Sequence, residues 1–216
     1  MLSKSNFKIL SPHLPSYLEK SKLEDCLYEE ELEGYLFEEE EVDIHKSKLD
    51  MRDSHLRKMI LSSFQGTKSS LINLYFENCD LSNASFDEST IHRIVFKDCK
   101  LVGTNFIASS IMDVTFDTCF MNYCNFSGSK MRNVAFQDCK IEEASFRDVI
   151  LKNISLDTCS FQRTEFLHTP LQNIDFSTCQ IEGLKIDLQD VVGMQVSVEG
   201  ALALSRLLQI EIKEES

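Results

Sequence analysis

The sequence predicts an all-β solenoid with a square coil, and three periodic observations predict it. From about Leu71 to Ile186 an apolar residue falls at every fifth position without a break. Cys79, Cys99, Cys119, Cys139, Cys159 and Cys179 recur at intervals of 20, as do the bulky residues Leu74, Ile94, Val114, Val134, Ile154 and Ile174. Fifth positions rich in Phe also alternate with aliphatic ones. A step of five rotates a side chain by about 140° on a helix of 3.6 residues per turn, so no helix keeps these residues on one face. On an extended segment, the fifth-position residue and the residue two before it share a face. Four such segments close a coil of 20 residues, and each coil stacks on the last.

Residues 45–190 are expected to form this solenoid. Its core ladder has two ring-bearing walls, Phe76, Phe96, Phe116 and Phe136 opposite Phe86, Phe106, Phe126 and Phe146, with Leu, Ile and Met walls between them. Small or branched residues such as Cys79, Ala84, Ser89 and Ile94 hold the second inward position, so the interior is filled and leaves no room for a small-molecule ligand. Strands about 4.8 Å apart make six coils a rod roughly 29 Å long. Toward the N-terminus, Leu61, Leu56 and Met51 keep the frame; Gly66 is a poor centre, and Phe64 is expected to replace it. Pro170 lacks an N–H and must forgo one hydrogen bond between coils, which marks a weak point or a bend.

Both ends depart from the repeat. Residues 1–44 read as an N-terminal extension, in which Ser16–Phe37 precedes the acidic run Glu38–Glu41. Such a segment either caps the first coil or offers an acidic contact surface to a basic partner. In residues 191–216, Ser197 is placed to cap a short helix bearing Leu202, Leu204, Leu207 and Leu208, with Ile210 and Ile212 following as a strand. That helix is too apolar to stand alone. An intramolecular cap and a symmetric homodimer seam both satisfy it, and the dimer also hides the open edge of the last coil.

Net charge is −13, which disfavours direct contact with nucleic acid or an anionic membrane and suits a basic partner. Residues 1–50 carry 13 acids and 6 bases, residues 51–190 carry 18 and 14, and the last 26 carry 4 and 2. No apolar run approaches the roughly 20 residues of a membrane span, and the start lacks the apolar region of a secretory signal. A cytoplasmic protein with free thiols is the expectation. The cysteine column has no CxxC pair and no adjoining His, so it reads as buried small apolar groups, with neither a metal site nor a cofactor. The five histidines share no ligand spacing and none sits in a nucleophile motif, so no enzyme is expected.

One outward feature recurs. Glu77, Asp98, Asp117, Asp138 and Asp157 follow the Phe wall at about one carboxylate per coil. Asp, Asn and Thr suit corner turns, so a solvated face explains them; a stripe imitating a phosphate backbone explains them too.

With units such as NCDLSNASF (78–86) and DCKLVGTNF (98–106), the chain resembles the pentapeptide-repeat family, whose fold is a right-handed quadrilateral β-helix. The stretches LEDCLYEEELEGYLF (23–37), FKDCKLVGTNF (96–106) and GLKIDLQDVVGMQVSVEGALALSRLLQIEI (183–212) resemble the Qnr-like quinolone-resistance proteins within it. That resemblance implies a head-to-head dimer through Leu202, Leu204, Leu207 and Leu208. It also implies an acidic rod that imitates duplex DNA, binds DNA gyrase or topoisomerase IV (type II topoisomerases) and relieves fluoroquinolone poisoning, with Asp98, Asp117, Asp138 and Asp157 facing the enzyme. Qnr-like chains often carry loops that interrupt the repeat, and none interrupts Leu71–Ile186 here. Gln209 stands where similar tails often carry Gly. A rigid scaffold for a different protein partner is the alternative.

Overall fold

The computed structural model describes residues 7–42, 48–62 and 64–210. Inward residues and a regular corner residue together make the coil. Two positions after nearly every fifth-position centre, the backbone turns left-handed, with φ between 50° and 71° from Asp53 to Asn173. Asn, Asp and Gly tolerate that conformation best, which explains Asn73, Asn83, Asp98, Gly103, Asp138 and Asn153 at these corners. Every coil then meets the next in parallel. Strands β6 (Ser70–Glu77), β7 (Thr90–Lys97), β8 (Ser110–Asp117), β9 (Lys130–Gln137) and β10 (Ile150–Asp157) pair in register at an offset of 20. Single bridges such as Asp80↔Lys100 and Ser85↔Asn105 close the remaining faces.

The ladder residues Phe76 through Phe146 are all buried. Rings on one wall stack, as in Phe96–Phe116 at 5.1 Å and Phe106–Phe126 at 4.9 Å. Rings of opposite walls meet edge to face, as in Phe106–Phe116 at 6.3 Å. Phe64 does replace Gly66: it is buried and its ring packs, tilted, 5.4 Å from that of Phe86, and a Cβ on Gly66 would overlap its ring. The thiol column is structural. The Sγ atoms of Cys79, Cys99, Cys119, Cys139 and Cys159 lie 3.2–3.4 Å from the carbonyl two residues earlier. A hydrogen bond with Cys99 and burial push the Cys79 thiol up, and burial does the same to Cys124.

The ladder begins before residue 45. β1 (Glu19–Lys20) pairs with β3 (Tyr35–Glu38), β3 pairs with β5 (His55–Arg57), and β2 (Leu32–Glu33) pairs with β4 (Asp50–Arg52). Leu32, Phe37 and Val42 are buried core residues five apart, and they lie 19 residues before Met51, Leu56 and Leu61. A further coil therefore sits one residue out of frame, topped by the short helix α1 (Leu23–Cys26). The acidic run has mostly internal partners. Glu38 bridges Lys20 and Arg57, Glu39 bridges Lys58, and Glu40 accepts from Leu23 N–H at 3.0 Å. The Lys20 hydrogen bond holds the Glu38 carboxyl below its ordinary value.

At the other end the ladder runs past residue 190, with Phe176 N–H donating to Gln195 O at 2.8 Å. Ser197 caps helix α2 (Val198–Ser205) by accepting from Gly200 N–H at 3.1 Å, and a 3₁₀ turn, Arg206–Leu208, follows. Gln209 ends it at φ 56°, the left-handed position that Gly fills without strain. Gln209→Gly should therefore raise stability of the C-terminal end by about 0.5–1 kcal/mol. A lower thermal midpoint for that variant would contradict the assignment. Ile210 is exposed and outside any strand, contrary to the expected terminal strand, and Ile212 lies outside the described residues.

Candidate functional site

The outward carboxylates form one stripe drawn from two neighbouring columns. Glu77, Asp117 and Asp157 end alternate long strands, while Asp98 and Asp138 occupy the left-handed corners of the coils between them. The result is one carboxylate per coil, at a rise of about 4.8 Å along the rod. Glu77 and Asp117 are half-buried; Asp98, Asp138 and Asp157 are exposed.

Cations are scarce around them. Elsewhere on the surface acids are paired, as in Asp80–Lys100 at 3.0 Å, Glu165–Arg147 at 3.0 Å and Glu143–Arg163 at 3.0 Å. Among the described residues no Lys or Arg bridges any of the five stripe carboxylates. Glu77 lies 3.3 Å from His55 Nε2, but burial holds that imidazole below its ordinary value, so it carries little charge at neutral pH. Among the described residues, the side chains that donate to Asp117 and Asp157 are the hydroxyls of Thr118 and Thr158. Lys97 lies between Glu77 and Asp117 in register and is the cation nearest to the stripe by sequence position.

The four leucines of the C-terminal helix separate. Leu204 and Leu207 are half-buried against the chain's own core, which is the intramolecular cap, while Leu202 is 46% exposed. The side chain of Leu208 lies outside the described residues. Val198 and Ile210 are exposed near Leu202 in sequence and leave apolar surface at this end of the rod.

A second surface was not legible in the sequence. Residues 7–18 do not enter the coils but run lengthwise along one corner of the rod. Leu10 N–H donates to Asp113 Oδ1 at 3.2 Å, and His13 N–H donates to Asn73 Oδ1 at 2.7 Å while Asn73 Nδ2 donates back to His13 O at 2.9 Å. Phe7 lies further along the same corner, against Asn153 and Asn173. Three extended residues span about 10 Å and two coils about 9.6 Å, so the strap keeps step with the corner column. Asn73 and Asp113 are buried as a result.

A stack of square coils made from five-residue units, with its chemistry on the outer surface, defines a β-solenoid of the pentapeptide type. The profile of the pentapeptide repeat region matches residues 69–146 and 130–195, more than half of the chain, and the protein belongs to the pentapeptide-repeat family. Among solved structures, a trypsin-treated variant of QnrB1, described as a plasmid-mediated fluoroquinolone resistance protein, is 17% identical, covering 85% of this chain and 100% of that one at a TM-score of 0.36. HetL, described as involved in heterocyst differentiation regulation in the cyanobacterium Nostoc, is 13% identical, covering 79% and 87% at a TM-score of 0.33. A pentapeptide repeat protein of the Arabidopsis thaliana thylakoid lumen is 15% identical over 44% of this chain and 66% of that one, at a TM-score of 0.29. No curated protein sequence matches the chain.

Proposed function

We propose that this protein is a non-enzymatic DNA mimic that binds a type II topoisomerase, DNA gyrase or topoisomerase IV, in the cytoplasm and modulates fluoroquinolone sensitivity. The carboxylate stripe, which no Lys or Arg bridges among the described residues, carries this reading. Its spacing of about 4.8 Å compares with about 3.4 Å per phosphate along one DNA strand, so the rod offers a basic groove a charge density of the same order. The stacked core keeps the charges at fixed intervals, which a flexible acidic tail does not. The Qnr-like sequence of the two ends supports the choice of partner. Pairing of two copies through the C-terminal end fits the exposed Val198, Leu202 and Ile210, with Leu204 and Leu207 seating the helix from within.

A supercoiling assay with purified DNA gyrase and ciprofloxacin tests this. The wild type should restore supercoiling, and the combined change Asp98→Asn, Asp117→Asn, Asp138→Asn and Asp157→Asn should weaken the effect roughly tenfold or more, about 1.4 kcal/mol or above. The absence of both binding and protection would defeat the proposal. The uninterrupted coils favour a second reading, a rigid scaffold for another protein, and the same negative result with an intact fold would support it.

A further inference from the structure

At Pro170 the ladder opens on one corner. In earlier coils Asp53 N–H donates to Ile72 O at 3.2 Å, Tyr75 N–H to Ser54 O at 3.1 Å, and Ile150 N–H to Ser129 O at 3.0 Å. The equivalent groups one coil after β10 make none of these bonds. Pro170 has no N–H, and Asn153 N–H and Asp175 N–H find no backbone partner across the gap. The next coil has also changed its corner: Ile174 N–H folds back onto Leu171 O at 3.1 Å, a turn the preceding long strands lack. Leu151, Ile154 and Leu156 are therefore half-exposed, although their counterparts Leu71, Leu74 and Phe76 are buried. The cleft measures about 390 Å³, with Leu151, Ile154, Leu156 and Ile174 as apolar lining and Phe7 of the strap beside them.

We propose that this cleft and the corner column leading to it form a docking groove for an extended segment of a partner protein, one that carries an aromatic anchor and no acidic residue. The strap is the occupant in cis and shows the chemistry. It is extended, fixed by Pro12 and Pro15, and its residues 7–18 include Lys8 and His13 but no acid. It lies on a column bearing Asp113 and ends beside Asp175. Its hold is light: Phe7, Ile9, Pro12 and Leu14 are only half-buried, and among the described residues three hydrogen bonds tie its backbone to the column. Arg93, between Asn73 and Asp113 in that column, keeps a buried Nε with no acceptor, a penalised donor on the groove's floor. The cleft walls hold further unpaired backbone groups for a segment that reaches deeper, and backbone pairing with pocketed side chains is how extended peptides are held. This site is separate from the carboxylate stripe, and its failure would leave the topoisomerase reading untouched.

A labelled peptide copying residues 7–14 (FKILSPHL), titrated into the full-length protein, tests the groove. It should bind the Phe7→Ser variant, whose own strap is weakened, roughly tenfold more tightly than the wild type. It should also slow hydrogen exchange at Asn153 and Asp175. The change Ile154→Asp in the Phe7→Ser background should abolish binding while circular dichroism shows the coils intact, and a peptide with Ser in place of its Phe should lose at least tenfold. No binding to Phe7→Ser, or binding indifferent to Ile154→Asp, overturns the proposal. Self-association of Phe7→Ser that excludes the peptide would assign the groove to a second copy, and would overturn it as well.

Discussion

Phe116→Ala should lower stability by about 3–5 kcal/mol, read as a drop in the guanidinium midpoint. Phe116 is fully buried and stacks on Phe96 at 5.1 Å and on Phe136 at 5.0 Å, with interplanar angles of 5° and 7°. It also meets Phe106 and Phe126 edge to face across the rod at 6.3 and 6.4 Å. Truncation removes one ring from four ring contacts at once. The backbone cannot collapse into the void, because β8 is held on both sides by the ladders to β7 and β9. The cavity therefore persists, and the loss belongs at the upper part of the range for large-to-small changes. An unchanged midpoint would contradict the stacked ring column.

The shaft was legible because its signal is local and repeated. Each pentad independently states which residue points inward, so the Phe walls, the thiol column and the Phe64 replacement follow from spacing and side-chain size, and the break at Pro170 from its missing N–H. The N-terminal coil escaped because Leu32, Phe37 and Val42 keep the five-residue step but sit 19 residues, not 20, before their partners. Projected backward in the shaft's frame, the centres fall on Glu31, Leu36 and Glu41, which breaks the pattern although the coil continues. The strap escaped for a different reason. Its residues carry no period, and their place depends on the match between extended-chain rise and coil spacing, a property of the folded surface. Leu204 and Leu207 were ambiguous in principle, since an amphipathic helix is equally apolar whether its face meets its own core or a second copy. Among the stripe residues, the spacing was visible in sequence, but the lack of a Lys or Arg bridge among the described residues was not. Lys97, Lys100 and Lys140 are close in sequence, and only the structure shows Lys100 engaged by Asp80.

Phe37→Ala should have an equally large but local effect. Phe37 is fully buried, lies in register with Leu56 in the Phe76 column, and packs 5.2 Å from Tyr35. The same truncation cost of about 3–5 kcal/mol applies to the ring. Its coil, however, has neighbouring coils on one side only, and in a stacked array each unit is stabilised by its own terms and those of its neighbours. The strap's hydrogen bonds, to Asn73 and Asp113, tie it to the shaft and add nothing to this coil. The variant should therefore open residues 19–42 without unfolding the shaft. Hydrogen exchange at Glu39 and Val42, whose amides donate to Arg57 O and Ile60 O at 3.0 Å, should accelerate by about two orders of magnitude or more. Exchange within β7, β8 and β9 should stay within about threefold of the wild type, near the few tenths of a kcal/mol expected of distant, uncoupled sites. Equal acceleration along the whole rod would mean that the coils unfold as one unit. In that case the cap would be part of the rod's stability and more than a cover for its end.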